Sequence, residues 1–456
     1  MTASDVSAAG QRLPRLRQLV RPTLDRLALG PALARDLWID RETDLLRLGP
    51  QGALPLGEIS DLRLLAIGKA ARPMLEAAWQ QLVGSFGDRL RQPALLVAPA
   101  GAHSDPTAGA LPPLRTFDGG HPIPNAASAA AAEAALELVA GADETTLVLL
   151  LLSGGGSALC EQPILGSIEP ADLRPLAERL VTCGASIVEM NALRKHLSRI
   201  KGGRLAAAAQ PATVWTLFVS DVPDDRPDAV ASGPTFPDPS TLDDALAVAR
   251  RYELLDLLSA PLRVALEAKT LPETPKPGDA IFHRAHFHRL LGGAEGLEAL
   301  RRQVAADLGL PTVIDTSVDD WPVEAAVDHL LQRLFAERER LGGPVALITG
   351  GELSVEVRGT GRGGRNQAFV LEVAARIEGK PIGVLSFGTD GRDGNSPAAG
   401  AVADGTSVQR ARAAGFDLDE VRARSDAYGL FSALGDAVET GSTGQNVRDL
   451  RLLTID

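Results

Sequence analysis

The loop at residues 153–157 is the stretch of this sequence best suited to holding an anion. It consists of Ser153, Gly154, Gly155, Gly156 and Ser157. Three adjacent glycines carry no Cβ atoms, so a ligand can approach the backbone closely and the N–H groups can converge on it, with two hydroxyls alongside. We therefore expect the loop to bind phosphate or carboxylate. A tight strand-to-helix turn without a ligand is the alternative.

Charged side chains follow other apolar runs at the point where each run ends. Lys69, Asp221 and Glu352 each come just after a predicted strand, and Asp390 and Asp393 follow a fourth one. In open α/β sheets, ligands bind outside the carboxyl ends of the strands. This recurrence predicts one crevice lined by all of these loops. For each aspartate, the alternative is a turn residue that hydrogen-bonds its own backbone.

Phosphoryl transfer is the chemistry that fits this set of side chains. Its transition state needs positive groups on the moving phosphoryl, a carboxylate-held Mg²⁺ and close backbone contacts, with little covalent work for the protein. Lys69 or Arg365 can neutralise the developing charge. Asp221, Asp390 and Asp393 can hold Mg²⁺ or accept the proton of a substrate hydroxyl, and we take Asp221 and Asp393 as the candidate metal ligands.

Further candidates for binding substrate or phosphate lie on a predicted helix near residue 195. Arg194, Ser198 and Lys201 are spaced i, i+4 and i+7, so they share one helix face. Such a cationic face near the glycine loop can bind a carboxylate or phosphate. A solvated surface stripe is the alternative.

Two more candidates lie in glycine-rich loops. Arg365 and Asn366 follow two glycines at a predicted helix start, a place that suits an anion. His121 is constrained between Gly120 and Pro122, more than a surface histidine would be. We include Asn366 and His121 among the candidate binding residues, with a purely structural histidine as the alternative.

Other kinds of site lack their sequence signatures. His283, His286 and His288 lie close together, but no cysteine or acidic residue stands at a metal-site interval from them, and we interpret them as the polar edge of a helix. Neither GKAARP nor SGGGSA follows the GxGxxG pattern of nicotinamide-binding proteins, and no Walker A sequence occurs. Ser157 does not lie in a GxSxG elbow. Structural zinc, nicotinamide and serine-hydrolase sites are therefore disfavoured.

Composition narrows the class of protein further. The chain has 456 residues, with 46 Lys plus Arg against 58 Asp plus Glu, a net charge of −12, and no block of like charge. This charge pattern disfavours nucleic acid and membrane surfaces as partners. Cys160 and Cys183 are the only cysteines, and no apolar export segment precedes them. These features predict a cytoplasmic protein with reduced thiols and leave the oligomeric state open, a homo-oligomer included.

The elements that must position these residues alternate between strands and helices. Short apolar runs predict strands at 62–67, 147–152 and 213–219, and Asn125 is the expected N-cap of a helix over Ala126–Val139. One helix is expected to carry NALRKHLSRIKGGRLA and to end at Gly202 or Gly203. This alternation over the first 220 residues predicts an α/β fold with a doubly wound, mostly parallel sheet.

A change in composition marks the expected domain boundary. Proline-rich loops and a capped helix lie between residues 240 and 278, and we place the boundary at residues 255/256. Beyond it, PVALITGGELSVEV predicts two strands joined by a glycine turn. GRGGRNQAFVLEVAARI predicts a glycine loop leading into a helix, and PIGVLSFGTDGRDG a strand followed by a loop.

These motifs, taken together and in this order, resemble the class II glycerate kinases, whose C-terminal region is called the MOFRL domain. The resemblance runs from IGKAA through GGHPIPN, LLLSGGGSAL, NALRKHLSRIKGGRLA, SDVPDD and ASGPT to ITGGE, GRGGRNQ, FGTDGRDG and GSTGQNVRDL. It implies a Rossmann-like N-terminal domain over residues 1–255. It also implies a smaller mixed α/β C-terminal domain over 256–456, with the MOFRL region at about 340–450, facing the first domain across the active-site cleft.

The resemblance also implies an activity and site residues. The activity is transfer of the ATP γ-phosphoryl to the 2-hydroxyl of D-glycerate with Mg²⁺, giving 2-phospho-D-glycerate and ADP. By motif, Lys69 in IGKAA and Arg365 in GRGGRNQ match the catalytic cations of the family, and Asp390 in GTDG is our choice of acidic partner. The family usually has an asparagine-containing turn where this chain has AIFHRAHFHRLLGG.

Two other functions remain as alternatives. Family members are often labelled hydroxypyruvate reductases, a nicotinamide-dependent activity for which this sequence carries no fingerprint. A non-catalytic regulator that binds sugar acids would explain the anion loops, but it would not explain the combination of lysine, arginine and aspartates.

Overall fold

The computed structural model describes residues 3–50, 52–101, 111–180, 182–223 and 225–456. The chain forms two compact units. Residues Leu29–Leu290 form the first, which we call the central unit. The chain up to Ala28 and Leu291–Asp456 form the second, which we call the split unit. The expected α/β class, with a doubly wound parallel sheet and a second mixed sheet, is confirmed.

The expected boundary at residues 255/256 falls inside the central unit. Residues on both sides of it pack in one leucine-rich cluster, which includes Leu246, Leu254 and Leu262. The strand at Ala285–Leu291, which contains two of the three histidines expected on a helix edge, joins the edge of the central sheet. The central unit therefore extends to residue 290, because the strand that follows the expected boundary belongs to its sheet.

A six-stranded sheet organises the central unit. Its strands lie in the order β6-β5-β4-β7-β8-β9, and the β6-β5, β5-β4, β4-β7 and β7-β8 pairs are parallel. Every residue of β4, β7 and β8 is buried, as their unbroken apolar runs predict. A small antiparallel sheet, β1 to β3, precedes it. The strands are β1 Leu37–Asp40, β2 Leu45–Leu48, β3 Gly52–Pro55, β4 Asp61–Ile67, β5 Ala94–Pro99, β6 Leu114–Gly119, β7 Thr146–Leu152, β8 Thr213–Val219 and β9 Ala285–Leu291.

The strand order reverses between β4 and β7. These two strands are paired in register, Ile67 opposite Leu152, so both end at the same level. A reversal of this kind leaves a crevice at the carboxyl ends of the two strands, where α/β proteins bind ligands. The turn at Gly68 and Lys69 and the loop at 153–157 both begin there.

Helices of the central unit follow their local signals, with one exception. Asn125 caps the helix Ala126–Val139 as expected, accepting a hydrogen bond from the N–H of Ser128 at 2.9 Å. The single helix expected through residue 201 instead ends at His196, and a second one begins at Arg204. The helices here are α3 Leu29–Asp36, α4 Ala71–Phe86, α5 Ala126–Val139, α6 Gly156–Leu159, α7 Arg174–Leu180, α8 Ile187–His196, α9 Arg204–Ala208, α10 Leu242–Arg251 and α11 Ala260–Glu267, after α1 Ala3–Gln18 and α2 Val20–Arg26 of the split unit.

A mixed sheet organises the split unit, in the order β10-β11-β15-β12-β13-β14. Its β10-β11 pair is parallel and the other pairs are antiparallel. The second strand expected after Gly351 does not form; that segment contributes one isolated bridge, between Ser354 and Pro322. The strands are β10 Thr312–Ile314, β11 Val345–Gly350, β12 Ile382–Gly388, β13 Gly400–Asp404, β14 Ala437–Val438 and β15 Asp449–Ile455. The helices are α12 Gly293–Asp307, α13 Val323–Leu341, α14 Arg365–Arg376, α15 Ser407–Ala413, α16 Leu418–Arg424 and α17 Ala427–Ala433.

Across the described ranges, no helix is both long enough and apolar enough to cross a bilayer.

Candidate functional site

The turn after β4 and the loop after β7 are bonded to each other at the strand reversal. The N–H of Lys69 donates to the carbonyl of Gly154 at 2.9 Å, and the N–H of Ala70 donates to the hydroxyl of Ser153 at 3.0 Å. Gly68 has φ +129°, and a Cβ there would lie 2.2 Å from the Ser153 hydroxyl. Ser153, predicted to bind phosphate, is thus a buried residue that fixes the position of the Lys69 turn.

Each of the three loop glycines lets another part of the site approach. A Cβ on Gly154 would lie 1.9 Å from a carboxylate oxygen of Asp221. A Cβ on Gly155 would lie 3.1 Å from side-chain carbons of both His121 and Lys69, and one on Gly156 would lie 2.7 Å from the Cβ of Ala231. The glycines therefore bring distant parts of the sequence together around one loop.

A cavity of about 260 Å³ opens beside this loop in the central unit. Its lining contains both polar and apolar side chains, and Leu173, Leu176 and Ile187 are among the apolar ones. Lys69 lies next to it, against Gly155. The sequence-predicted residues that line the cavity are His121, Gly155, Ser157, Arg194, Lys201 and Asp221. Residues that the sequence places far apart are therefore brought together.

Arg194 is the cation of this cavity that lacks a counter-charge. It lies in the last turn of α8 and is partly buried, and none of the described residues forms an ion pair or a side-chain hydrogen bond with it. Burial lowers its pKa, yet a guanidinium stays protonated at neutral pH. A partly desolvated, unpaired arginine that lines a cavity indicates an anionic ligand.

The predicted cationic face of Arg194, Ser198 and Lys201 is not formed. Because α8 ends at His196, Ser198 lies in the following turn and is fully buried. Lys201 is also buried, and its ammonium pairs with the carboxylate of Glu161. Lys201 therefore lines the cavity without a free charge, and Arg194 alone keeps the expected anion-binding character.

His121 is held next to a positive charge. Although part of its ring is exposed, desolvation of the rest and the charge of Lys69 lower the pKa of His121 to about 4. The imidazole is thus neutral at pH 7, and it can donate or accept a hydrogen bond but cannot act as a cation.

We expect this pKa to depend on Lys69. In Lys69→Met, the pKa of His121 should rise part of the way towards 6.5, because one of its two causes of lowering is removed while desolvation remains. An NMR titration of the His121 ring protons would measure both values. An unchanged pKa in the variant would contradict the close approach of the two side chains.

A hydrogen-bonded series that the sequence reasoning missed completes the cavity wall. The hydroxyls of Ser157 and Ser232 are 2.8 Å apart, and the Ser232 hydroxyl donates to the side-chain carbonyl of Asn191 at 2.8 Å. Ala231 and Ser232 have φ values of +49° and +57°, which residues other than glycine rarely adopt. Strained backbone of this kind is concentrated at functional sites. The ASGPT motif, with its Ser-Gly-Pro turn, was the available signal.

The split unit carries the other predicted residues. Arg365 opens α14 and is held between two carboxylates: its Nε donates to Asp449 at 2.6 Å, and its Nη1 donates to Glu352 at 2.9 Å. Although burial opposes it, these carboxylates raise the pKa of Arg365. Asp449 also pairs with the fully buried Arg451 at 3.1 Å. Arg365 and the predicted Glu352 therefore belong to one ion-pair network.

Asp393 and Asn366 are engaged within the protein. The carboxylate oxygens of Asp393 accept the backbone N–H groups of Asn366 at 3.0 Å and of Gln367 at 2.8 Å, so Asp393 caps α14. Asn366 is buried and accepts a hydrogen bond from the Ser386 hydroxyl at 2.5 Å. Burial raises the pKa of Asp393 to about 6. These contacts do not support the metal-ligand role predicted for Asp393.

Replacing Asp393 by Ala should therefore lower stability with or without magnesium. We expect a loss of about 1–2 kcal/mol, the usual cost of removing a helix cap. Asp393→Asn should lose less, because its amide oxygen still accepts one N–H. Urea unfolding in the presence and absence of Mg²⁺ would measure both; a loss seen only with Mg²⁺ would restore the metal role.

Asp390 and Asp221 are the remaining acidic candidates. Asp390 is partly exposed, and one of its oxygens accepts the N–H of Arg392 at 2.9 Å, as in a turn. Asp221 lines the cavity beside Gly154. In the part of the chain that the structure describes, no three metal-binding side chains converge. Kinases commonly hold Mg²⁺ with one or two carboxylates plus substrate phosphates, and Asp221 fits that pattern.

Comparisons with known proteins give the family. A model for a domain family of unknown function, DUF4147, matches residues 15–267, and the MOFRL family model matches residues 345–449. The D-glycerate 2-kinase of Thermotoga maritima is 36% identical over 401 residues, which cover 87% of this chain and 91% of that protein.

A solved structure and a second relative extend the likeness. The crystal structure of glycerate kinase (EC 2.7.1.31) from Thermotoga maritima has a TM-score of 0.80 at 33% identity, covering 97% of this chain and 99% of that one. A protein of Agrobacterium vitis provisionally named a hydroxypyruvate reductase is 36% identical over 350 residues, covering 75% of this chain and 77% of that protein. The chain therefore belongs to the MOFRL family of class II glycerate kinases.

Proposed function

We propose that this protein is an ATP-dependent D-glycerate 2-kinase, which transfers the γ-phosphoryl to the 2-hydroxyl of D-glycerate to give 2-phospho-D-glycerate and ADP. The observation that carries the proposal is the central-unit cavity, where the unpaired Arg194 lies on the wall and Lys69 adjoins the glycine loop. Two relatives named glycerate kinase, which match this chain over most of their length, support the choice of substrate.

The cavity suits a small hydroxy acid. Arg194 would bind the carboxylate of D-glycerate, since a guanidinium matches a carboxylate with two parallel hydrogen bonds. Ser157 and Ser232 line the same cavity, and their hydroxyls would bind hydroxyl groups of the substrate. Lys69 would neutralise charge on the transferred phosphoryl, because its ammonium forms no ion pair within the described ranges.

Two further roles follow from the family resemblance. We assign Arg365 as the second catalytic cation and Asp390 as the acidic partner that accepts the substrate proton. Mg²⁺ would be held by Asp221 together with nucleotide phosphates, and when bound it neutralises phosphate charge. We also propose a cytoplasmic location, since both cysteines are free thiols and ATP is the donor.

ADP release tests the proposal directly. Purified protein with Mg²⁺, ATP and D-glycerate should form ADP only when glycerate is present, and enolase should consume the product directly, because 2-phosphoglycerate is its substrate. Oxidation of a nicotinamide cofactor with hydroxypyruvate, without any ADP, would instead support the reductase alternative. Binding of glycerate without either reaction would support the regulator.

Replacing Arg194 by Met should raise the KM for glycerate by about 10- to 100-fold, because a charge-assisted hydrogen bond to a carboxylate contributes about 1.5–3 kcal/mol. Turnover at saturating glycerate should change much less. Arg199→Met is the matched control, because Arg199 is exposed and does not line the cavity. Equal effects of the two substitutions on KM would rule out the carboxylate role.

A further inference from the structure

A second, larger cavity lies within the split unit, beside α14. We call it the α14 cavity. Its volume is about 690 Å³, against about 260 Å³ for the central-unit cavity. Pockets that bind drug-sized molecules measure roughly 300–1,000 Å³. Of these two cavities, the α14 cavity is therefore the one with room for a nucleotide.

One wall of the α14 cavity is apolar and partly open to solvent. Leu353, Val355 and Val357 come from the segment after β11, and Ala368 and Leu371 come from the facing side of α14. Val355 is 41% exposed and Val357 is 75% exposed. Exposed valines at the mouth of a cavity favour a ligand with an apolar, flat part, such as a heterocyclic base.

The glycine-rich loop on another wall is rigidly held. The N–H of Gly363 donates to the side-chain carbonyl of Asn395 at 2.8 Å, and the Asn395 amide donates back to the carbonyl of Gly361 at 3.1 Å. The N–H of Arg362 donates to Asp426 at 3.0 Å. Because these side chains fix the loop, a ligand that contacts it costs little ordering entropy.

An unsatisfied amide lies directly behind this loop. Gln367 is fully buried, and neither its carbonyl oxygen nor its amide nitrogen has a hydrogen-bond partner among the described residues. Its Oε1 is 3.2 Å from the position that a Cβ on Gly363 would occupy. A buried unpaired amide costs free energy, so it indicates a polar group that the protein itself does not supply.

Charged side chains of both signs, two candidate catalytic residues among them, complete the lining. Glu356 pairs with Arg358 and Glu372 pairs with Arg422, and Glu324 also lines the cavity. Arg365 and Asp390 both face the α14 cavity. Arg392 also lines it; it is exposed and forms no ion pair in the ranges the structure covers. A ligand that joins an apolar base to a polyphosphate would match both the valine wall and Arg392, which forms no ion pair with the described residues.

We propose that the α14 cavity binds the nucleotide, with the adenine base of ATP against Val355 and Val357. The inference rests on the proposed kinase activity for the identity of the nucleotide. It assigns recognition of the nucleotide base to the MOFRL region, and it assigns the acceptor, glycerate, to the smaller central-unit cavity.

Filling the cavity tests the proposal. Calorimetric titration of the full-length protein with Mg²⁺ and ADP gives nucleotide affinity without any turnover. In Ala368→Trp, the indole would occupy the space, so the Kd for ADP should rise at least about tenfold while the KM for glycerate stays within about twofold. An unchanged Kd for ADP in a folded Ala368→Trp, or no ADP binding by the wild-type protein, would overturn the proposal.

A pair of surface variants tests the same site if Ala368→Trp does not fold. Val357→Glu places a carboxylate at the exposed edge of the cavity and should weaken ADP binding about fivefold. Val264→Glu changes another exposed valine outside the cavity and should leave the Kd unchanged. Equal affinities in both variants would count against the site. ADP binding that obeys these expectations, without glycerate-dependent ADP release, would refute the kinase proposal alone.

Discussion

Lys69→Ala should lower turnover by about 100-fold or more, the effect of removing one preorganised charge-stabilising group. The side chain is exposed and unpaired within the described ranges, so its loss removes charge from the site and little else. The backbone N–H of Lys69 still donates to Gly154, and the link between the two loops therefore persists. Steady-state rates of glycerate-dependent ADP release would measure the change.

Two further variants show whether the loss of turnover is caused by the loss of the positive charge at residue 69. Lys69→Arg keeps the positive charge and should recover part of the rate, although an arginine does not reproduce the compact ammonium. Lys380→Ala, at an exposed lysine of the split unit, should have wild-type turnover. If Lys69→Ala weakened glycerate binding with turnover unchanged, the lysine would be a binding group and not a catalytic one.

Arg365→Ala should impair both stability and turnover. It leaves Asp449, which is 2% exposed, with Arg451 as its remaining charged partner. Breaking a buried pair by removing one partner costs about 3–5 kcal/mol, and because a third of the Arg365 side chain is exposed we expect about 2–3 kcal/mol. Because we assign Arg365 as a catalytic cation, its loss should also lower turnover by at least about 100-fold.

The two roles of Arg365 can be separated. Arg365→Lys keeps the charge but loses the paired hydrogen bonds to Asp449 and Glu352, so it should be more stable than the alanine variant. Unfolding in guanidinium chloride and rates measured where each variant is fully folded would give the two effects. Wild-type turnover in a destabilised variant would mean that Arg365 is a structural ion-pair residue only.

Local signals in the sequence were sufficient for the parts of the fold that place the crevice. The apolar runs that became β4, β7 and β8 are unbroken because these strands are covered on both faces. Asn125 caps its helix as expected because capping depends on residues within one turn. The alternation of strands with helices then indicated a doubly wound, mostly parallel sheet.

Ion pairs between residues far apart in the sequence could not be predicted, and they determine which charged side chains remain free to bind a ligand. Lys201 lost its expected role because Glu161 neutralises it, forty positions earlier in the chain. Lys195 is buried between Asp228 and Asp238. The helix α8 also ends at His196, whereas the helical periodicity of the sequence continues past that residue. Arg194 could therefore not be distinguished from its neighbours until its surroundings were known.

The segments after β11 and at β9 show a second limit. Alternating apolar residues after Gly351 predict a strand, but Val355 and Val357 remain exposed without a strand partner. The histidines at 283–288 suggest a helix edge, but the segment becomes an edge strand because β8 offers a free backbone to pair with. Whether a short segment forms a strand depends on its neighbour as much as on its own residues.

The contact between Gly68 and Ser153 also constrains how this family can change. Ser153 fits only because residue 68 has no side chain, and Ser153 in turn helps to hold the Lys69 turn by accepting the N–H of Ala70. Neither loop can then be exchanged for that of a distant homologue by itself. A chimera that transfers the glycine loop should work only if the turn after β4 is transferred with it, and related sequences should vary at positions 68 and 153 together.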